Sequence, residues 1–405
     1  MNTKTQDTFL HLVRLGIGNV NDNDNLDFNG GVSWQALESI ANEQGLLGVM
    51  LDGVEKLPRE LRPEKKAILQ SIGQLIRSEQ LYAVQEHAAA EMGLLLHQHG
   101  IRTYVLKGAV VAECYSRPEH RRSVDMDCFL VNDNENVNLN DNDNKNLDLN
   151  ADVWEKGNRV VEEAGFEVAR GFYKNSTFHL PGLTVENHRF MTPFRGNKRL
   201  KRLERLLQSM NINDNLNDNL NLNDNDNDND NGGGEEVRVN VKVEASNRRF
   251  QGTWLYRPPV MVSALFLIEH AYSHFLHEGL TWRHVLDWQM FRRRHREEID
   301  WEVFEGLIDE YGFRKFYDSY CRLGRFLVGE LTADGLTPAD RRMLSDVWAP
   351  LDVHESLHGL KAKLQLAGNY WRARWKYKLF TDMIWIRALS EWVLGALFER
   401  QPRLD

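Results

Sequence analysis

Cysteine is scarce: the 405-residue chain has three, Cys114, Cys128 and Cys321, each in an ordinary apolar segment and none at a metal-ligand spacing from another. That argues against a disulfide scaffold or a zinc ribbon and makes the reducing cytoplasm the simplest compartment. Apolar runs long and charge-free enough to span a bilayer are also missing; the best, 383–398, is interrupted by Arg387 and Glu391. No membrane partner is expected. The opening residues, MNTKTQDTFLHLVRLG, lack the basic start, apolar centre and small-residue cleavage site of a secretory leader.

An excess of positive charge is missing too, but this is an effect of composition. Three Asn/Asp tracts, 21–29, 132–150 and 211–231, hold 14 acids and a single lysine, Lys145; without their net −13 the chain's −9 becomes +4. The remaining body is mildly basic, which suits an anionic substrate. The tracts contain too little apolar surface to pack and read as disordered insertions at surface turns. The alternation Asp224, Asp226, Asp228, Asp230 imitates a calcium loop but lacks its sixth-position glycine and closing glutamate.

What is there is a 42% hydrophobic chain able to bury a substantial core. Residues 1–99 read as helical, with Ser33 as N-cap for 34–42 and a long amphipathic stretch over 64–99. In that stretch Ile68, Ile72, Leu75 and Ile76 form one stripe, the expected packing face of a helical lobe against a sheet. Strands follow at 101–106 and 124–131, with a helix over 109–115 between them. After the second tract come a helix over 152–164 and strands over 166–172, 176–180 and 183–191, with Pro181-Gly182 as the turn between the last two. A basic helix over 195–210 and a valine-alternating strand over 236–243 precede a helical pattern from 260 onward, with segments at 261–277, 282–296, 301–311, 314–328, 354–377 and 378–398. The fold class is α+β: an N-terminal helical lobe (1–99), a small mixed sheet as the core (100–259) carrying insertions at 132–150 and 211–231, and an all-helical C-terminal domain (260–405).

The chemistry concentrates at 101–131. Asp125 and Asp127, two apart on a strand, project to one side, where they can share one or two hard cations. Their apolar flanks argue against a solvent-facing edge, where such acids are common. Lys107-Gly108 lies where a strand hands over to a helix, and there free backbone N–H groups and a glycine admit a phosphate. His270 and His274 share a helix face like a zinc pair, but no H-E-x-x-H order or cysteine pair supports zinc. Basic and aromatic clusters at 195–205, 248–257, 292–296 and 371–378 fit either snorkelling helix edges or a nucleic-acid contact.

L-K-G (Leu106 to Gly108), Y-x-x-P-x-x-R (Tyr115, Pro118, Arg121) and D-x-D before an apolar run (Asp125, Asp127, then Phe129 to Val131) resemble the uncharacterised bacterial nucleotidyltransferase family of the DNA polymerase β-like superfamily. V-E-x-H (Val185, Glu186, His188) and H-x-x-x-H with W and D (His270, His274, Trp282, Asp287) agree with it. The resemblance implies a minimal nucleotidyltransferase core with Asp125, Asp127 and Glu186 as catalytic ligands of Mg²⁺ or Mn²⁺. It also implies an NTP substrate, ATP among them, with His188 beside the nucleotide and His270, His274 and Asp287 lining the nucleotide or acceptor cleft. Where the superfamily usually carries Gly-Ser, this chain has Lys107-Gly108, so Lys107 is expected to meet the β- and γ-phosphates, with Arg121 and Arg122 as further cations.

The expected activity is Mg²⁺-dependent transfer of a nucleoside monophosphate from an NTP to an acceptor, with release of pyrophosphate. The acceptor is unspecified: protein, RNA or a small molecule. Two alternatives use the same residues, a catalytically silent nucleotide-binding module and a metal-dependent nuclease.

Overall fold

The computed structural model describes residues 3–19, 32–133, 151–171, 174–193, 197–212, 248–349 and 360–381. Most of the three Asn/Asp tracts, the expected strand over 236–243 and the apolar run 383–398 lie outside these residues. Four helices lead: α1 (Thr3–Gly16), α2 (Trp34–Glu43), α3 (Leu47–Lys56) and α4 (Lys65–Gln98). Ser33 stands at the N-cap of α2, as expected, although its side chain makes no cap bond. Helices α1 and α3 cross in contact because Gly53 has no side chain; a Cβ there would lie 1.9 Å from the Leu12 carbonyl oxygen.

The sheet has six strands in the order β3-β4-β5-β2-β1-β6, with β1 (Ile101–Val105), β2 (Asp125–Asn132), β3 (Val168–Arg170), β4 (Asn175–Leu180), β5 (Leu183–His188) and β6 (Leu255–Tyr256). It is mixed, as expected: β2 runs antiparallel to β1 and parallel to β5. Parallel neighbours need a crossover, and the excursion through α6 (Ala151–Glu163), β3 and β4 supplies it. Leu180 pairs with Leu183, so Pro181-Gly182 forms the tight turn that its composition predicts. The two-residue β6 is too short to leave a period in the sequence.

Two expectations need correction. The helix after Gly108 is a single turn, α5 (Ala109–Ala112), rather than a run to 115. The stripe on α4 is also not its packing face: Ile72 and Ile76 are 37% and 47% exposed, whereas Ala88, Ala89, Met92 and Leu96 are buried. The helix is 34 residues long, and its second half lies on the sheet, where small residues such as Gly93 allow close approach to Leu255. Its first half extends beyond that contact.

The C-terminal region is helical among the described residues: α7 (Lys198–Ile212), α8 (Val260–His277), α9 (Trp282–Arg294), α10 (Trp301–Glu310), α11 (Arg314–Leu327), α12 (Pro338–Trp348) and α13 (Leu360–Phe380). The central helix is α8, whose residues Met261 to Glu269 are all buried, the mark of a helix enclosed on every side. The expected boundaries at 99/100 and 259/260 fall between α4 and β1 and just before α8. Contacts cross both: Gln44 donates to the Val347 carbonyl and accepts from the Trp282 N–H, and Arg14 donates to the carbonyls of Phe326 and Leu327.

Candidate active site

Strand register builds the site. Asp127 pairs across the β2–β5 boundary with Glu186, and Phe129 with His188, so period-2 alternation puts Asp125, Asp127, Glu186 and His188 on one face of the sheet. On the far side of β5, Asn175 donates from Nδ2 to Glu186 Oε2 at 2.8 Å. Helix α8 covers this face, bringing Phe266 edge-on to the His188 ring and His270 close to Lys107.

Asp127 is the buried centre, 1% exposed. Its Oδ1 lies 3.0 Å from His188 Nε2, and its Oδ2, 3.7 Å from Lys107 Nζ, has no hydrogen-bond partner among the described residues. Burial alone would raise this carboxyl, but Lys107 and His188 outweigh it and hold it well below the ordinary carboxylate range. Glu186 is shifted the other way, raised by burial and by the neighbouring Asp127 charge. The Nδ1 of His188 faces the Phe190 carbonyl at 3.2 Å, and a carbonyl only accepts, so Nδ1 carries the hydrogen. Nε2 is then the ring atom that faces Asp127 and Glu186, donating to Asp127 when it carries a hydrogen and offering a lone pair to a cation when it does not. Ligand atoms of Asp127, Glu186 and His188 lie within 4.8 Å of one another, and no other histidine, cysteine or acid cluster among the described residues converges this way.

That donor set fits a divalent cation: two carboxylates, one with an unsatisfied buried oxygen, and an imidazole nitrogen that faces both. Mn²⁺ tolerates the imidazole better than Mg²⁺ does. The trio differs from the expected one in one member. His188, expected beside the nucleotide, joins Asp127 and Glu186, while Asp125 sits two residues earlier, opposite Thr184 and more open to solvent.

Lys107, expected at the β- and γ-phosphates, is enclosed beside Asp127. It is 4% exposed, and its ammonium lies between Asp127 and His270, where it donates to Nε2 at 2.6 Å. Burial, Lys107 and His274 push His270 well below its usual range, which leaves Nε2 free to accept. Gly108 is required here: its φ is +78°, and a Cβ would lie 3.3 Å from the Asp125 carbonyl oxygen. Behind it α5 is a single turn.

Arg121 is likewise engaged elsewhere. Its Nε and Nη2 donate to the two oxygens of Asp287 at 2.8 and 2.7 Å, and the Tyr115 hydroxyl donates to Oδ1 of the same carboxylate at 2.8 Å. Tyr115, Arg121 and Asp287 thus form a buried clamp that holds the loop after α5 against α9. Arg122 is exposed, and its carbonyl accepts from Arg283 Nη1 at 2.8 Å. His274 pairs with Glu278 at 2.8 Å, next to the His270 ring.

Residues 30–141 match the model of an uncharacterised nucleotidyltransferase family. No curated protein and no solved structure matches the chain. The nucleotidyltransferase match covers Lys107, Gly108, Arg121, Arg122, Asp125 and Asp127. It stops short of Glu186 and His188, which the sheet register supplies. Sequence reasoning missed Arg283, Asn175 and His120. Arg283 carries no motif of its own and reaches Arg122 and the field of Asp125 only through the packing of α9. His120 is buried between Asp52 and Glu79, 2.9 Å from each, and anchors the loop leading to β2.

Proposed function

We propose that the chain is a divalent-cation-dependent nucleotidyltransferase that moves a nucleoside monophosphate from an NTP to an acceptor hydroxyl or phosphate, releasing pyrophosphate. The observation that carries this reading is the convergence of Asp127, Glu186 and His188 beside the D-x-D strand that the family match includes. Asp127, Glu186 and His188 would hold Mg²⁺ or Mn²⁺, with Asp125 on the same strand face as a further carboxylate. A cation held there would neutralise charge on the transferring phosphate and the departing pyrophosphate. Lys107 acts through Asp127, keeping that carboxylate ionised in a buried setting, and His270 holds the ammonium in place as a neutral acceptor. With Lys107 and Arg121 engaged, we assign the triphosphate to Arg122 and Arg283, which meet beside the Asp125 strand. Three free cysteines suit a reducing compartment, so we assign the protein to the cytoplasm. Among the described residues no helix is long and apolar enough to cross a membrane.

The test is incubation with α-labelled NTPs, Mn²⁺ or Mg²⁺, and separate protein, RNA and small-molecule fractions. Labelled product and pyrophosphate should appear with the wild type and vanish in Asp127→Asn and Glu186→Gln. NTP binding without turnover would favour a silent module, and cleavage of nucleic acid without NTP would favour a nuclease.

A further inference from the structure

On the molecule's other side, two cavities of about 830 and about 430 Å³ share Ile17, Met290 and Arg293 in their walls and so form one groove. Its larger part lies along the last turn of α9, among Arg292, Arg296, Trp301 and Tyr317. Its smaller part ends at the loop from Cys114 to Arg117, whose Tyr115 belongs to the clamp behind the catalytic face.

Charge pairing in this groove is one-sided. Its carboxylates are engaged: Asp52 with Arg117 and His120, Glu305 with Arg314, and Glu330 next to Arg325. Arg292, Arg294 and Arg296 have no carboxylate within 4.0 Å among the described residues, and Arg293 reaches only the Asn19 amide oxygen, at 3.1 Å. A helix C-terminus gains from one or two cations, and Glu297 and Glu298 follow in sequence, which would make a plain solvated end. Yet Glu298 pairs with His295 at 2.7 Å, and Glu297 makes no ion pair. Four neighbouring guanidinium groups therefore line a concave surface with no free carboxylate to meet them among the described residues. The surface is also aromatic, with the Arg292 guanidinium 5.8 Å from the Trp301 ring centroid and Tyr317 alongside.

We propose that this groove binds single-stranded nucleic acid and presents it as the acceptor or its tether. Guanidinium groups along a trough neutralise successive phosphates, and the half-buried Trp301 offers a stacking face for a base, which an acidic peptide would leave unused. The two cavities together offer more volume than a mononucleotide requires. The acceptor role rests on the nucleotidyltransferase reading; the binding does not.

The experiment keeps the two apart by omitting NTP and metal. Fluorescence anisotropy of labelled mixed-sequence RNA and DNA strands of about 12 nucleotides is titrated with the full chain at salt concentrations from about 50 to 200 mM. Saturable, salt-sensitive binding of either strand is expected. Arg292→Glu/Arg296→Glu should weaken it about tenfold or more and lower the salt slope by about two. Lys65→Glu/Lys66→Glu, the same charge change on exposed α4, should bind like the wild type, and Arg292→Lys/Arg296→Lys should retain most of the affinity. The groove assignment is overturned by absence of saturable binding, by equal loss in the α4 control, or by unchanged binding in the arginine reversal. Full displacement by polyglutamate at matched charge would assign the groove to an acidic polypeptide instead and overturn the nucleic-acid reading. Transfer activity that fails while this binding holds would remove only the catalytic reading.

Discussion

Asp127 and Asp287 are both buried aspartates from the stretches that point to catalysis, and they do opposite things. Asp287 is saturated: two bonds from Arg121 and one from Tyr115 satisfy both its oxygens, and these partners hold it below the ordinary carboxylate range despite burial. Asp127 keeps one buried oxygen without a hydrogen bond and faces another acid, Glu186, whose pKa is pushed up. Buried polar atoms are nearly always satisfied, so an orphaned oxygen among converging ligands is what the proposed cation would satisfy, whereas a closed ion pair is complete without one. The difference between site and scaffold lies in coordinative vacancy, not in burial or charge.

The comparison breaks most sharply on Asp127→Asn. Nucleotidyl transfer should fall by at least about 10³-fold, or about 4 kcal/mol of transition-state stabilisation, because a ligand of the cation is lost. An Asp127→Asn protein as active as the wild type would end the distinction. Asp287→Ala should instead act on the fold, costing about 3–5 kcal/mol of stability by stranding buried Arg121, measurable as a shift of the denaturant midpoint. If Asp287→Ala were as stable as the wild type yet inactive, the clamp would belong to the site.

Glu269 offers a third kind of buried acid. It is fully buried on α8, both its oxygens lack hydrogen bonds, and burial pushes its carboxyl from 4.5 up to about 7. A raised carboxyl pKa costs stability as pH rises: below about 4.5 both states are protonated, between that value and about 7 only the unfolded chain ionises, and above it the loss is complete. Wild type should therefore lose up to about 3 kcal/mol across that window relative to Glu269→Gln, as read from denaturant unfolding at several pH values. Parallel pH profiles of the two proteins would refute it. The smallest effect expected is that of Arg122→Ala on stability, within about 0.5 kcal/mol because the side chain is exposed, with a few-fold rise in KM for the NTP. An unchanged KM would shift the triphosphate contact to Arg283 alone.

Much of this was legible in advance. Alternation along 124–131 is enough to put Asp125 and Asp127 on one face, the Pro181-Gly182 pair marks the hairpin, and period-3.6 patterns mark the C-terminal helices from 260 to 328. Three things were not legible. The apolar stripe of α4 reads as a core face, because a sequence does not say how far a 34-residue helix extends beyond the sheet that it packs on. The ion pair of Arg121 is hidden, because its partner Asp287 lies 166 residues away on α9. The approach of His188 to Asp127 is hidden, because it depends on parallel register with β2 rather than on spacing along β5.

By itself, then, the sequence determined which residues lie on a common face of a strand or helix, since backbone periodicity is local and every second strand side chain points the same way. Only the tertiary structure decided which charges meet. Pairing of β2 with β5 brought Asp127 to Glu186 and His188, and the lie of α8 and α9 enclosed Lys107 against His270 and Arg121 against Asp287. Whether a cation is free for a ligand or engaged by the scaffold depends on distances of a few ångströms between elements far apart in the chain, and such distances are set by packing.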